Sequence, residues 1–125
     1  MSCVFCAIVA GEAPAVRIYE DDDYLAFLDI RPMVRGHTLI IPRRHVGSFF
    51  EATPDERSAL LVLLDEARNE LDRLHRPQGY NVGINDGPAA GQTVPHLHIH
   101  LIPRYEGDLD DPRGGVRWVI PEKAR

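Results

Sequence analysis

The 125-residue chain is short of several residue types, and each shortage excludes something. Cysteine occurs twice, as Cys3 and Cys6. The pair is too close in sequence to staple distant parts of the chain, so no disulfide framework is expected, and a reducing compartment suits it. The longest unbroken apolar run, Cys3 to Ala10, falls far short of the ~20 residues that cross a bilayer, as does the next, Ala59 to Leu64. No basic stretch followed by a long apolar segment opens the chain, so no secretory leader is expected and the cytoplasm is the expected location. Charge of one sign is not in large excess: 14 basic against 19 acidic side chains leave a net −5. No field of that kind draws a whole chain onto nucleic acid or anionic lipid, so neither is an expected partner. Repeats, low-complexity tracts and linkers are missing too. What remains is a composition of 44% hydrophobic and 26% charged residues, ordinary for one soluble domain.

Residues 3–10 predict a short helix ended by Gly11. Val16–Glu20 and Tyr24–Leu28, joined by three aspartates, predict a β-hairpin. His37–Ile41 predicts a third strand, closed by Pro42. The clearest helix begins at Thr53, where Thr53-Pro54-Asp55-Glu56 has the form of a capping box with proline at the first helical position. Leu60, Leu64, Ala67, Leu71 and Leu74 then recur at helical spacing as one buried stripe, and the helix should stop before Pro77. Gly79–Ile84 and Leu97–Ile102 are the fourth and fifth strands. Short turns and a single long inserted helix predict an α+β fold with a mostly antiparallel sheet.

The segment from Pro95 to Pro103 carries the chemistry. On a strand, alternation places His96, His98 and His100 on one face and Leu97, Ile99 and Leu101 on the other. Three imidazoles then stand roughly 7 Å apart in a row. Half of the chain's six histidines lie here, so a merely solvated strand face is a poor account. A transition-metal site and a nucleophile or acid/base site both remain open. Like charges this close push one another's pKa down, so at least one ring should stay neutral near pH 7. Just upstream, Asn85 to Gln92 is glycine-rich. Gly87 and Gly91 can turn backbone N–H groups inward, and Asn85, Gln92 and Thr93 add neutral donors, as in a phosphate-holding loop. Cys3-x-x-Cys6 by itself is redox-active or half of a zinc site, and His45 follows the third strand with no evident task.

The pattern His-φ-His-φ-His-φ-φ, with φ apolar, is matched in full by His96 to Ile102. Together with Asp86-Gly87…Gly91-Gln92-Thr93, Leu25 to Ile30, Gly36 to Pro42 and Cys3-x-x-Cys6, it resembles the histidine triad (HIT) superfamily over about residues 3–104. The resemblance implies one HIT domain over 1–125, with a tail over 105–125. The implied fold is a five-stranded antiparallel sheet with one long and one short helix, continuous across a homodimer. It also implies hydrolysis or transfer at the α-phosphate of purine nucleotides through a nucleotidyl-histidine intermediate, most like the nucleoside phosphoramidase branch. Cleavage of diadenosine polyphosphates is the alternative within enzymes. A zinc-stabilised nucleotide-binding or interaction module is the alternative from another class.

Carried over by position, His98 is the nucleophile, His100 assists the leaving group or phosphate, His96 is the first triad member and His37 supports the triad from behind. Asn85, Gly91, Gln92 and Thr93 fall in the phosphate loop. Asp29 matches the residue on the ribose hydroxyls, and Phe5, Ile8, Phe27 and Ile30 match an apolar base pocket. Cys3, Cys6, His45 and His96 match a structural zinc site, with no catalytic metal required. Trp118, the chain's single tryptophan, lies in a tail that in relatives reaches the partner's site and shapes substrate choice. His75, at a helix end, reads as a surface residue facing the helix dipole.

Overall fold

A computed structural model describes residues 3–124. It has a short helix α1 (Val4–Val9), strands β1 (Arg17–Glu20), β2 (Tyr24–Leu28) and β3 (Thr38–Pro42), a long helix α2 (Pro54–His75), and strands β4 (Gly79–Gly83) and β5 (Ile99–Arg104). The five strands form one sheet in the order β1-β2-β3-β5-β4, every pair antiparallel. The α+β expectation therefore holds, with one long and one short helix. Short 3-10 turns at 49–51, 88–90, 115–119 and 121–123 complete the chain.

Helix α2 starts as its sequence requires. Thr53 Oγ1 accepts the Glu56 N–H at 3.1 Å, and the Glu56 carboxylate accepts the Thr53 N–H at 2.9 Å. Its buried stripe is Leu60, Leu63, Ala67 and Leu71, which differs from the expected set in two places. Leu64 is only partly buried and Leu74 is exposed, because the contact line stays on Leu60, Leu63, Ala67 and Leu71. The helix ends at Arg76, in the left-handed region (φ 50°) just before Pro77.

Alternation along the strands gives the sheet two different faces. Ala26, Ile40, Ile99 and Leu101 pack with the α2 stripe in the main core. Leu25, Phe27, Leu39 and Ile41 point the other way and pack under α1 with Phe5 and Ile8. β3, in the middle, is buried along its whole length. His98 and His100 share the α1 face because their neighbours Ile99 and Leu101 belong to the α2 face.

The fifth strand begins two residues later than expected, at Ile99. Pro95 and the three-residue turn closed by His96 N–H on the Val94 carbonyl (2.8 Å) keep 94–96 out of the ladder. His96 and His98 thus precede the strand. The expected single row of three imidazoles becomes two groups.

Candidate active site and metal centre

His96 turns away from the other two triad rings. Its Nε2 lies 2.8 Å from the Pro42 carbonyl, and a carbonyl can only accept, so Nε2 carries the proton. That leaves the Nδ1 lone pair facing Cys3 Sγ and Cys6 Sγ, both at 3.5 Å. His45 Nδ1 is 3.2 Å from Cys6 Sγ. The four donor atoms Cys3, Cys6, His45 and His96 lie within 4.8 Å of one another. Tetrahedral zinc, with Zn–S about 2.3 Å and Zn–N about 2.05 Å, needs S···N edges of about 3.5 Å, so the residues fit the ion. Two thiolates balance its charge. Burial, then the neighbouring Cys3, push the Cys6 thiol up, an expense that a bound dication reverses. Helix α1 supplies the sulfurs: Cys3 is its N-cap, and Cys6, one turn on, donates its N–H to Cys3 Sγ at 3.4 Å.

The catalytic candidates form a second group on the same face. His98 is buried, with Phe5 edge-on at 5.0 Å and His100 edge-on at 5.0 Å between ring centroids. Its Nδ1 donates to the His96 carbonyl at 2.8 Å. In the neutral ring the lone pair is therefore on Nε2, which makes no hydrogen bond among the described residues. His37 accepts the Met33 N–H on Nδ1 (3.1 Å), so its proton is on Nε2, 3.0 Å from His100 Nδ1. His100 accepts there and presents Nε2–H. Met33, His37 and His100 thus form one directed chain of hydrogen bonds. Asp29 Oδ2 stands 3.6 Å from His37 Nε2, while Oδ1 accepts the Arg31 N–H.

Burial favours the neutral rings. Desolvation lowers the His37 pKa, with Asp29 opposing it. Desolvation also pushes His100 down to about 4, helped by repulsion from His98 and His37. His96 is lowered mainly by burial. Asp29, His37 and His100 also gather three ligand atoms, but the 3.0 Å contact between ring nitrogens is a hydrogen-bond distance, shorter than the ~3.3 Å edge of a tetrahedral bis-imidazole site.

The glycine-rich loop is closed by its own hydrogen bonds, which use the N–H groups of Gly87, Ala90, Gly91 and Gln92. Ala90 and Gln92 donate to the Gly87 carbonyl, Gly91 to that of Pro88, and Gly87 to Gln92 Oε1. Gly87 and Gly91, both at φ 93°, make these turns possible. Asn85 and Thr93 have exposed side chains with no hydrogen bond among the described residues, whereas the Gln92 amide is engaged in three. Composition alone could not separate these three donors. Asp86, whose role the sequence left open, accepts from Ser48 Oγ and the Phe49 N–H at 2.9 Å each and fastens the loop to 48–49.

Phe5, Ile8 and Phe27 lie in the core under α1, while Ile30 is 87% exposed on the loop before His37. Trp118 sits in the 115–119 turn and donates its indole N–H to the Arg113 carbonyl at 2.9 Å. That turn packs beside β4. His75 is partly buried, and its ring would lie 3.0 Å from a Cβ placed on Gly36. Among the described residues no helix is long and apolar enough to cross a membrane.

The family model described as the HIT domain matches residues 10–107. An uncharacterised HIT-like protein of Mycobacterium tuberculosis is 46% identical over 108 residues, covering 86% of this chain and 75% of its own. A protein of Arabidopsis thaliana named as an adenylylsulfatase is 41% identical over 106 residues, 85% of this chain and 54% of its own. The crystal structure of a zinc-bound histidine triad family protein from Mycobacterium smegmatis superposes with a TM-score of 0.80 at 48% identity, covering 86% of this chain and 78% of that one. The matched span includes the triad, the loop before it and His37, and on these grounds the chain belongs to the HIT family.

Proposed function

We propose that this protein hydrolyses or transfers purine nucleotides at the α-phosphate, with His98 as nucleophile and nucleoside 5′-phosphoramidates as the preferred substrates. The observation that supports it best is the pairing of two opposite tautomers 5.0 Å apart. His98 offers a lone pair on Nε2, and His100 offers an N–H on the equivalent atom.

An imidazole lone pair attacks phosphorus in line, the P–N bond breaks as the leaving nitrogen takes a proton from solvent water and departs as the amine, and a nucleotidyl-His98 phosphoramidate forms. The His96 carbonyl holds the ring through attack and stabilises the cationic charge that Nδ1–H then shares. His100 Nε2–H donates a hydrogen bond to the phosphoryl or leaving-group atom. The exposed Thr93 and Asn85 supply neutral donors for the equatorial oxygens. Water then opens the P–N bond to His98 and releases the nucleoside monophosphate. Asp29 is assigned to the ribose hydroxyls and Ile30 to the base, with Phe5, Ile8 and Phe27 as the apolar floor beneath it. Gly91 belongs to the turn that delivers Thr93. Zinc on Cys3, Cys6, His45 and His96 is assigned a structural role, tying α1 to the triad. No step requires it.

The plant relative is named as an adenylylsulfatase, which supports a second reading, hydrolysis at the same α-phosphate with sulfate as leaving group; hydrolysis of diadenosine polyphosphates differs from both only in what departs. We also assign residues 1–125 to a single domain acting as a homodimer. β4, like β1, is an outer strand of the sheet, and a second copy docked on β4 would extend the sheet there. Trp118, beside that edge, would then shape the partner's site.

Quench-flow mass spectrometry on adenosine 5′-phosphoramidate, adenylyl sulfate and diadenosine tetraphosphate tests the proposal. The expected result is fastest turnover of the phosphoramidate and a nucleotidyl adduct on His98. Turnover of none of the three, with nucleotide still bound, would favour a binding module instead. A mass twice that of the chain in sedimentation supports the dimer, and a monomer at micromolar concentration refutes it.

A further inference from the structure

Gln92 joins three segments that meet behind the triad. Its Oε1 accepts the Gly87 N–H at 2.7 Å. Its Nε2 donates to the Gly47 carbonyl at 2.8 Å and to the Val94 carbonyl at 3.1 Å. A primary amide has two N–H donors, so both are in use. Asn85 and Thr93, on either side of it in the same loop, have none of these ties. Gln92 therefore lacks the free donor that a phosphate ligand needs.

The Val94 carbonyl is shared. It also accepts the His96 N–H at 2.8 Å, and the His96 carbonyl in turn accepts His98 Nδ1–H at 2.8 Å. A continuous path of hydrogen bonds thus runs from the Gln92 side chain through two backbone groups to the imidazole of His98. Its other arm reaches Gly47, whose neighbour Ser48 is bound to Asp86. Thr93 lies between two residues that are both held.

We propose that Gln92 is a positioning residue that fixes the His98 ring and Thr93 through the Val94 and His96 backbone, and not a substrate ligand. This rests on the reading of His98 as nucleophile and deepens it. Replacing Gln92 by the near-isosteric methionine leaves the Gly47 carbonyl and the Gly87 N–H without their partner and halves the bonding at Val94. The nucleophile's hold then loosens by a fraction of an ångström, which costs turnover, while Asp29, Ile30 and the apolar floor assigned to the nucleoside stay where they are.

Four measurements on Gln92→Met and Gln92→Glu decide it: kcat and KM with adenosine 5′-phosphoramidate, AMP affinity by calorimetry, hydrogen exchange of the Gly87 amide, and the ¹⁵N shifts of His98. For Gln92→Met we expect kcat to fall roughly 10- to 100-fold. AMP affinity should change by less than about threefold, Gly87 should exchange faster, and the His98 ¹⁵N signals should broaden or shift towards a tautomer mixture. Gln92→Glu keeps the acceptor for Gly87 and loses both donors, so it should protect the Gly87 amide and still lose turnover. AMP binding weakened more than tenfold by Gln92→Met with kcat near wild type would make Gln92 a ligand and overturn the proposal. Wild-type kcat in Gln92→Glu would cut the path to His98 and overturn it as well. Should His98→Ala still turn over substrate, the nucleophile reading fails by itself, and the Gly87 exchange and AMP data still separate brace from ligand.

Discussion

His98 Nδ1 lies 2.8 Å from the carbonyl oxygen of His96, so one residue's backbone sets the tautomer of the next residue but one. The same His96 turns its ring the other way, with Nε2–H on Pro42 and Nδ1 toward the two cysteines. One side of this residue thus belongs to a metal centre and the other to a candidate nucleophile. The turn at 94–96 makes that division possible, because it releases His96 from the alternation that a regular strand would impose.

His98→Ala removes the Nε2 lone pair and leaves the neighbouring donors in place. Turnover of adenosine 5′-phosphoramidate should drop by three orders of magnitude or more, in line with loss of a covalent nucleophile. AMP affinity should stay within about tenfold. His100→Ala should be milder on substrates with good leaving groups, since a hydrogen bond to the departing atom matters least there. Equal losses for both variants across a leaving-group series would contradict their separate roles.

Metal analysis of untagged protein should find about one zinc per chain, and a content near zero removes the assignment. Cys3→Ser weakens the site at a helix N-cap that also holds Cys6. Its melting temperature should fall by several degrees, while turnover per folded molecule falls less, because the peptide that carries the His96 carbonyl is held by the His96 and Leu97 N–H groups on the Val94 and Val46 carbonyls, with no need of metal. A variant with wild-type stability and lost turnover would place the ion in the chemistry instead.

Much of this was legible in the sequence, for physical reasons that vary by element. Thr53-Pro54-Asp55-Glu56 specifies its own hydrogen bonds locally, so the start of α2 could be read to the residue. β2 was legible because Asp23 and Asp29 bracket one apolar run, Tyr24 to Leu28. Leu64 and Leu74 could not be separated from Leu63, since all lie within reach of one helical stripe and only tertiary packing chooses among them. The self-closure of the Gly87–Gly91 loop is not legible in the sequence for a related reason. Glycine permits both an inward-facing cradle and a self-closed turn, and Gln92, which decides between them, does so through contacts with Gly47, 45 positions away. The departure of His96 from the row was carried by Pro95, a signal visible in the sequence.

Thr53→Ala keeps the helix and deletes its first-turn acceptor. The cap should cost about 1 kcal/mol, measured by denaturant unfolding, with kcat unchanged because α2 packs on the face opposite His98. A loss of activity at full stability would mean that the two faces of the sheet are coupled.

Truncation after Pro112 removes the 115–119 and 121–123 turns and the Trp118 anchor on Arg113 while leaving β5 intact. If the tail contributes to a partner's site, the ratio of phosphoramidate to diadenosine tetraphosphate turnover should shift by tenfold or more. An unchanged ratio would reduce Trp118 to a local anchor.

The relay histidines make stability depend on pH in a predictable direction. His100 titrates at about 4 in the folded protein, held down first by desolvation and then by His98 and His37, against about 6.5 in the unfolded chain. Between those values the unfolded state binds a proton that the folded state does not, so unfolding gains on folding as pH falls. Stability from this group is fully present above about 6.5, is lost progressively down to about 4, and changes no further below that. Each such proton contributes a slope of about 1.4 kcal/mol per pH unit in the middle of the window. His37, also lowered by burial, adds in the same sense. His100→Gln removes the titrating ring. Urea unfolding of the zinc-loaded proteins from pH 7.5 to 4.5 should therefore show a shallower dependence in the variant, by about one proton near pH 5.5. Parallel curves would mean that His100 keeps its unfolded proton affinity in the native state, and that the neutral ring, with its N–H directed at the substrate, is not the resting form.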